Sequence, residues 1–95
     1  RVARRRVRAL ARGRSVLNLF AYTCGIGVAA AAGGASEVWN VDFAASALEV
    51  GRRNAALNDV PAERHRTVAA DARRFVATAG VAAESFDLVL IDPPS

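Results

Sequence analysis

At 95 residues with a formal net charge of +4, the chain is one short domain at most. Apolar residues make up 53% of it, which excludes a disordered tail, and the lack of a sustained repeat excludes a collagen or coiled-coil rod. Alanine fills 22 of those positions; the 27 larger apolar residues furnish a small sheet-and-helix core, thin for a complete α/β domain.

Residues 1–14 form a basic leader with seven arginines and no acid, whereas residues 15–95 hold six arginines against nine acids. The leader admits two readings: a phosphate-facing surface, because guanidinium forks match phosphate oxygens, or a solvated helix face. Within it, Arg4 to Ala11 is predicted helical, with Ala3, Val7, Leu10 and Ala11 on one face and Gly13 ending the helix. From Ser15 to Ser36 follow 22 residues without a charge, a length that superficially suits a signal anchor. Asn18, Tyr22, Thr23 and the glycines at 25, 27, 33 and 34 divide that run into a strand, a turn and a short helix. None of these reaches spanning length, so no membrane association is expected. The strand is Val16-Leu17-Asn18-Leu19-Phe20, the turn runs from Ala21 to Gly27, and the helix from Val28 to Ala32. Cys24 in the turn is the single cysteine. It leaves neither an internal disulfide nor a cysteine-rich metal site, and points to a reducing, cytosolic compartment.

Glu37 to Asp42 reads as a second strand, Ser46 to Leu57 as a helix that packs through Leu48, Val50 and Leu57, and Asn58-Asp59-Val60-Pro61 as its break. Arg66 to Ala70 is a third strand, Asp71 to Ala79 a helix, and Phe86 to Ile91 a fourth strand. This alternation over residues 15–95 predicts an α/β fold: a Rossmann-like, doubly wound parallel sheet of about four strands. The sequence does not begin with methionine and its last residues are Asp92-Pro93-Pro94-Ser95, so it reads as a segment of a longer protein.

Three strands close on a carboxylate: Asp42, Asp71 and Asp92. In a parallel sheet all three share the carboxyl edge, where open α/β sheets bind ligands. A single such aspartate is ordinarily a helix cap; three beside a glycine turn ask for more. Gly25 and Gly27 let backbone approach a ligand, and the following helix offers free amides. The third glycine of the dinucleotide fingerprint is Ala30. Asp42 lies 15 residues beyond Gly27, a distance suited to the two ribose hydroxyls of an adenosine. Nicotinamide cofactors and S-adenosylmethionine both contain that ribose, so the pair does not separate them. Asp71, one strand further out, can accept from an adenine amino group, with the amide of Ala72 facing the ring and Phe43 as an apolar wall. Asp92-Pro93-Pro94 sets an acceptor and a turn without amide donors across the topological switch point, suited to a planar, amine-bearing substrate.

These residues resemble a known family. Leu17-Asn18-Leu19-Phe20-Ala21-Tyr22-Thr23, Gly25-Ile26-Gly27, Ala32-Gly33-Gly34-Ala35, Val41-Asp42, Asn54-Ala55-Ala56-Leu57-Asn58 and Asp92-Pro93-Pro94-Ser95 are similar to the class I S-adenosylmethionine-dependent RNA methyltransferases. The bacterial 23S ribosomal RNA large-subunit group, with its N-L-F-x-Y-T-G motif, is the nearest in pattern. Arg1-x-x-Arg4 also resembles the tail of that group's D-Q-R-x-x-R element. The resemblance implies methyl transfer from S-adenosyl-L-methionine to an RNA base. By position it implies that the Tyr22–Gly27 loop, Thr23 included, wraps the methionine part and that Asp42 holds the ribose. It further implies that Asp71 and Ala72 hold the adenine and that Asp92, Pro93 and Pro94 face the acceptor base. Cys24 stands where the group usually has glycine, so a position needing positive φ would be strained there. Ala44 replaces a commonly seen serine and removes a helix cap. Ser95 follows Pro94 where amino-methylating enzymes often place an aromatic. His65 and Trp39 read as surface and packing residues. Two other functions stay open: a nicotinamide-binding domain, and a non-catalytic remnant of a methyltransferase.

Overall fold

The computed structural model describes residues 4–22, 24–78 and 85–91. Four strands, β1 (Ser15–Leu19), β2 (Glu37–Asp42), β3 (His65–Ala69) and β4 (Leu88–Ile91), form one sheet in the order β3-β2-β1-β4. Every pairing is parallel. The chain therefore winds outward from β1 to β3 and then returns to the other side of β1. That reversal creates a switch point between β1 and β4. Helices α1 (Arg4–Ala11), α2 (Gly25–Ala32), α3 (Ala45–Leu57) and α4 (Ala72–Thr78) cover the faces, and a single 3₁₀ turn over Ala62–Arg64 precedes β3.

β1 is apolar on both sides because both sides are covered. Val16 is buried with Val7, Ala11, Ala30, Ala31, Ala35, Val38 and Leu90 on the face of α1 and α2. Leu17 and Leu19 are buried with Val41 and Ala72 on the other, where Trp39, Phe75, Val76 and Phe86 join them. Each large side chain removed from water in this way contributes about 1.5–3 kcal/mol. Trp39 also packs edge-on to Phe86 at 5.9 Å between ring centres, and the Arg66 guanidinium lies 5.7 Å from its ring.

The structure corrects the local reading at three helices. The predicted turn over Ala21 to Gly27 ends early, because α2 starts at Gly25 and takes both glycines into its first turn. A Cβ on Gly27 would lie 2.0 Å from Asn40 Oδ1, so this glycine serves the close approach of helix to sheet. Leu10 is 42% exposed; only Val7 and Ala11 of the described α1 residues turn to the core. In α3, Leu48 is buried as predicted, but Leu57 is 80% exposed and Val50 lies on the surface. Small residues, Ala47, Gly51 and Ala55, fill the buried face instead, since a low profile lets α3 settle closely on the sheet.

A polar ladder crosses the core beneath α2. Asn18 Nδ2 donates to Asn40 Oδ1 at 2.9 Å, and Asn40 Nδ2 donates to the Arg66 carbonyl at 3.1 Å. Asn40 Nδ2 also meets His65 Nε2 at 3.0 Å. Because that amide nitrogen is a donor, His65 Nε2 must accept and the ring proton sits on Nδ1. All three side chains are buried, and burial lowers the His65 pKa from its ordinary value. His65 is thus a neutral packing residue.

Candidate functional site

The site gathers at the carboxyl edge, where parallel pairing aligns the ends of β1, β2 and β3. Ala21 N–H donates to the Val41 carbonyl at 3.0 Å and Ala70 N–H to the Asp42 carbonyl at 2.9 Å, which continues the ladder into the three exit loops. Asp42 ties two of them through its side chain. Its Oδ2 accepts the Tyr22 N–H at 2.8 Å and its Oδ1 the Ala44 N–H at 2.9 Å. The bond from Ala44 satisfies that residue's own N–H, while Ala44, at the N-cap of α3, has no side chain to accept from the first N–H groups of the helix. A carboxylate has about four acceptor positions, so each oxygen retains capacity for a further donor.

The loop between β1 and α2 is strained. Phe20, Tyr22 and Cys24 have φ of 60°, 50° and 64°, left-handed values that cost roughly 1–3 kcal/mol each for side chains other than glycine. The strain expected of Cys24 is therefore present. Its thiol is buried and meets the Tyr22 carbonyl at 3.8 Å. Burial, reinforced by the Asp42 charge and opposed by Arg52, pushes the thiol pKa up to about 12. It stays protonated at neutral pH, which fits the role of a packed turn residue and not a nucleophile.

Asp71 acts as a cap: its Oδ1 accepts the N–H groups of Arg73 at 2.9 Å and Arg74 at 3.2 Å, at the start of α4. Ala72 is buried. Phe43 is 83% exposed and Tyr22 65% exposed; the first follows Asp42 in the chain and the second donates its backbone N–H to it. A cavity of about 410 Å³ opens between the ends of β1 and β4 and helix α4, lined by Leu19, Phe20, Ala72, Arg73, Val76 and Ile91. Gly25 and Gly27 present the first turn of α2, and the Arg4 guanidinium covers Gly25, with Nη2 2.8 Å from where a Cβ would sit. Thr23, Asp92, Pro93 and Pro94 lie outside the described residues. Among those described, Tyr22, Gly25, Gly27, Asp42, Phe43, Asp71 and Ala72 share one edge.

Sequence reasoning missed two contributors. The cavity wall from Phe20, Arg73 and Ile91 depends on pairing between distant strands. The ladder Asn18–Asn40–His65 left a readable trace, a polar residue inside each of two otherwise apolar strands. Among the described residues no group of three histidine, cysteine or acidic side chains could hold a metal ion, and no helix is long and apolar enough to cross a membrane.

The family described as S-adenosylmethionine-dependent methyltransferase matches residues 1–95. The chain is 45% identical over 92 residues to a ribosomal RNA large subunit methyltransferase of Deinococcus radiodurans, covering 97% of this chain and 22% of that protein. It is 41% identical over 95 residues to ribosomal RNA large subunit methyltransferase K of Neisseria meningitidis, covering 100% of this chain and 27% of that one. Among solved structures, a protein described as a SAM-dependent methyltransferase from Streptococcus mutans superposes with a TM-score of 0.88 at 33% identity, over 96% of this chain and 24% of that one. A methyltransferase structure complexed with SAH gives the same TM-score and identity over 97% and 24%. The chain thus spans less than a third of each relative. Its sheet is part of the class I, Rossmann-like methyltransferase fold, and the match decides against the nicotinamide alternative.

Proposed function

Since the chain belongs to the S-adenosylmethionine-dependent methyltransferase family, we propose that it is the cofactor-binding part of an enzyme that methylates a base of large-subunit ribosomal RNA. The cofactor is S-adenosyl-L-methionine. The observation that carries the reading is the Asp42 carboxylate, held at the tip of β2 by two backbone N–H groups, with an exposed aromatic next to it. Those bonds orient the carboxylate before any ligand arrives, and its remaining lone pairs suit a ribose diol.

The other roles are assigned in keeping with this reading. Phe43 offers its ring as a wall for the adenine, and Ala72 with Asp71 supplies the far side. Capping by Asp71 supports the adenine role only indirectly, by fixing the start of α4 against the apolar cavity. Tyr22, Thr23, Gly25 and Gly27 border the methionine portion, with the N–H groups of the first turn of α2 open to its carboxylate. Asp92, Pro93 and Pro94, which follow β4 in the sequence, are assigned to the acceptor base.

Bound there, the cofactor supplies a methyl group already activated by its sulfonium charge. The protein's contribution is alignment: holding donor and acceptor at the reacting distance and excluding water. Asp92, or a backbone carbonyl beside it, accepts hydrogen bonds from the base edge and fixes its approach. A base paired in a helix must first leave its stack.

Calorimetry with S-adenosylhomocysteine and with NAD tests the reading, together with transfer of labelled methyl groups from the cofactor to 23S RNA by the full-length protein. Binding of S-adenosylhomocysteine but not NAD, with label in RNA, is the expected result. Preference for NAD overturns it.

A further inference from the structure

The strongest concentration of charge on the molecule lies outside the groups used above. Arg4, Arg5, Arg6, Arg8, Arg12 and Arg14 are all exposed, and no acidic residue precedes Glu37 in the sequence. Among the described residues none of these six pairs with a carboxylate. The arrangement opposes helix formation. Arg4, Arg5 and Arg6 crowd the first turn of α1, at the positive end of the helix dipole, with no acid in that turn. Arg4 with Arg8, and Arg8 with Arg12, place like charges four residues apart, where they repel. A local rule broken repeatedly without a compensating contact marks a functional surface.

The geometry narrows what that surface meets. Val7 and Ala11 face the core, which turns Arg5 and Arg8 to one outer side of the helix, and Arg12, directly after its last residue, extends the row. That row spans roughly 10 Å at the helical rise. It follows the junction with α2: the Arg8 carbonyl lies 2.5 Å from a Cβ built on Gly33, and the Arg12 stem 3.6 Å from one built on Gly34. α2 itself carries no charge, so a strand lying in the junction meets the arginines and little else. At the upper end Arg4 rests on Gly25, beside the loop that leads to the site. Only Leu10 among the large apolar residues of α1 is exposed, which gives the helix no apolar face to insert into a lipid surface.

We propose that Arg5, Arg8 and Arg12 grip the sugar–phosphate backbone of the RNA strand whose base enters the site, with Arg4 guiding it over the rim. The proposal rests on the RNA reading above. Guanidinium forks bind successive phosphates without regard to sequence, so the row positions the strand and leaves base choice to the pocket.

The test uses the full-length protein and 23S RNA, comparing it with the variants Arg5→Gln/Arg8→Gln/Arg12→Gln and Arg5→Lys/Arg8→Lys/Arg12→Lys. The glutamine variant is expected to bind RNA at least 10-fold more weakly, with the slope of log affinity against log salt reduced by about two to three units. Binding of S-adenosylhomocysteine should stay unchanged. The lysine variant, which keeps the charge, should retain most of the slope. Melting temperature should not fall in the glutamine variant, because repulsion is relieved. RNA affinity and slope that match the parent overturn the proposal while methyl transfer by the parent leaves the RNA reading standing; no RNA binding by the parent overturns the reading itself. Loss of binding to anionic phospholipid vesicles with RNA binding intact also overturns it. If the triple glutamine variant fails to bind S-adenosylhomocysteine, Arg5→Gln/Arg8→Gln, which leaves the Arg12 stem beside Gly34 untouched, decides by the same slope measurement.

Discussion

Asp42 Oδ2 accepts the backbone N–H of Tyr22 at 2.8 Å, across 20 residues of sequence. One carboxylate thereby fixes both the exit of β2 and a loop whose residues sit at left-handed φ. The two exits are thereby linked through one side chain.

Asp42→Ala is accordingly expected to weaken binding of S-adenosylhomocysteine by about 1–3 kcal/mol, the size of a charge-assisted hydrogen bond. It should also lower the melting temperature, because the Tyr22 and Ala44 amides lose their acceptor. Calorimetry and thermal denaturation check the two effects separately. Unchanged affinity would count against the ribose role.

Asp92→Ala should lower turnover more than cofactor affinity, since the proposed role of Asp92 is at the acceptor base. Steady-state kinetics in the full-length enzyme, set beside calorimetry, checks this. The reverse pattern would put Asp92 on the cofactor side.

Gly27→Ala is expected to destabilise the fold by about 1–3 kcal/mol through overpacking. The added Cβ would meet Asn40 Oδ1, and Asn40 is held by Asn18, His65 and the Arg66 carbonyl. Denaturant unfolding should show a lower midpoint at unchanged slope.

Burial holds the His65 pKa below 6.5. A base whose folded pKa is depressed contributes stability above its unfolded pKa and loses it as pH falls through the folded value. Stability should therefore drop as pH falls below about 6.5. Protonated Nε2 would also confront the Asn40 donor. In His65→Gln, whose side-chain oxygen can accept from Asn40, this drop should be smaller in melting curves taken between pH 7 and 5.

Cys24 gives the opposite sign. Its folded pKa, raised from 9.0 to about 12, means stability is complete below the unfolded pKa and declines as pH rises from about 9 toward 12. Cys24→Ala should flatten that decline. In the native protein the thiol should resist alkylation at pH 8 and react once unfolded, as labelling with and without denaturant will show.

Much of this architecture is legible in the residues. Strand–helix alternation identifies the parallel sheet, and parallel strands put Asp42 and Asp71 on a common edge wherever each strand stops. The start of α2 is not legible, because glycine in isolation signals a turn; only the contact between Gly27 and Asn40, made across the sheet, explains why helix continues through it. Leu57 and Val50 misled for a related reason. Their bulk suggests burial, yet α3 packs on Gly51 and two alanines. The structural bonds of Asp42 are equally hidden: its sequence spacing suggests a ligand, while its bonds to Tyr22 and Ala44 exist only in the assembled loops.

Val16 pairs with both Val38 and Leu88, so the central strand has one partner made soon after it and another made 72 residues later. During synthesis, at about 5–20 residues per second, β1 waits several seconds with one flank bare. Its run of valine and leucine would then be a natural target for a chaperone or for pairing with a neighbouring nascent chain. The same topology that opens a crevice between β1 and β4 makes β4, the latest to emerge of the four described strands, the one that covers the second flank of β1.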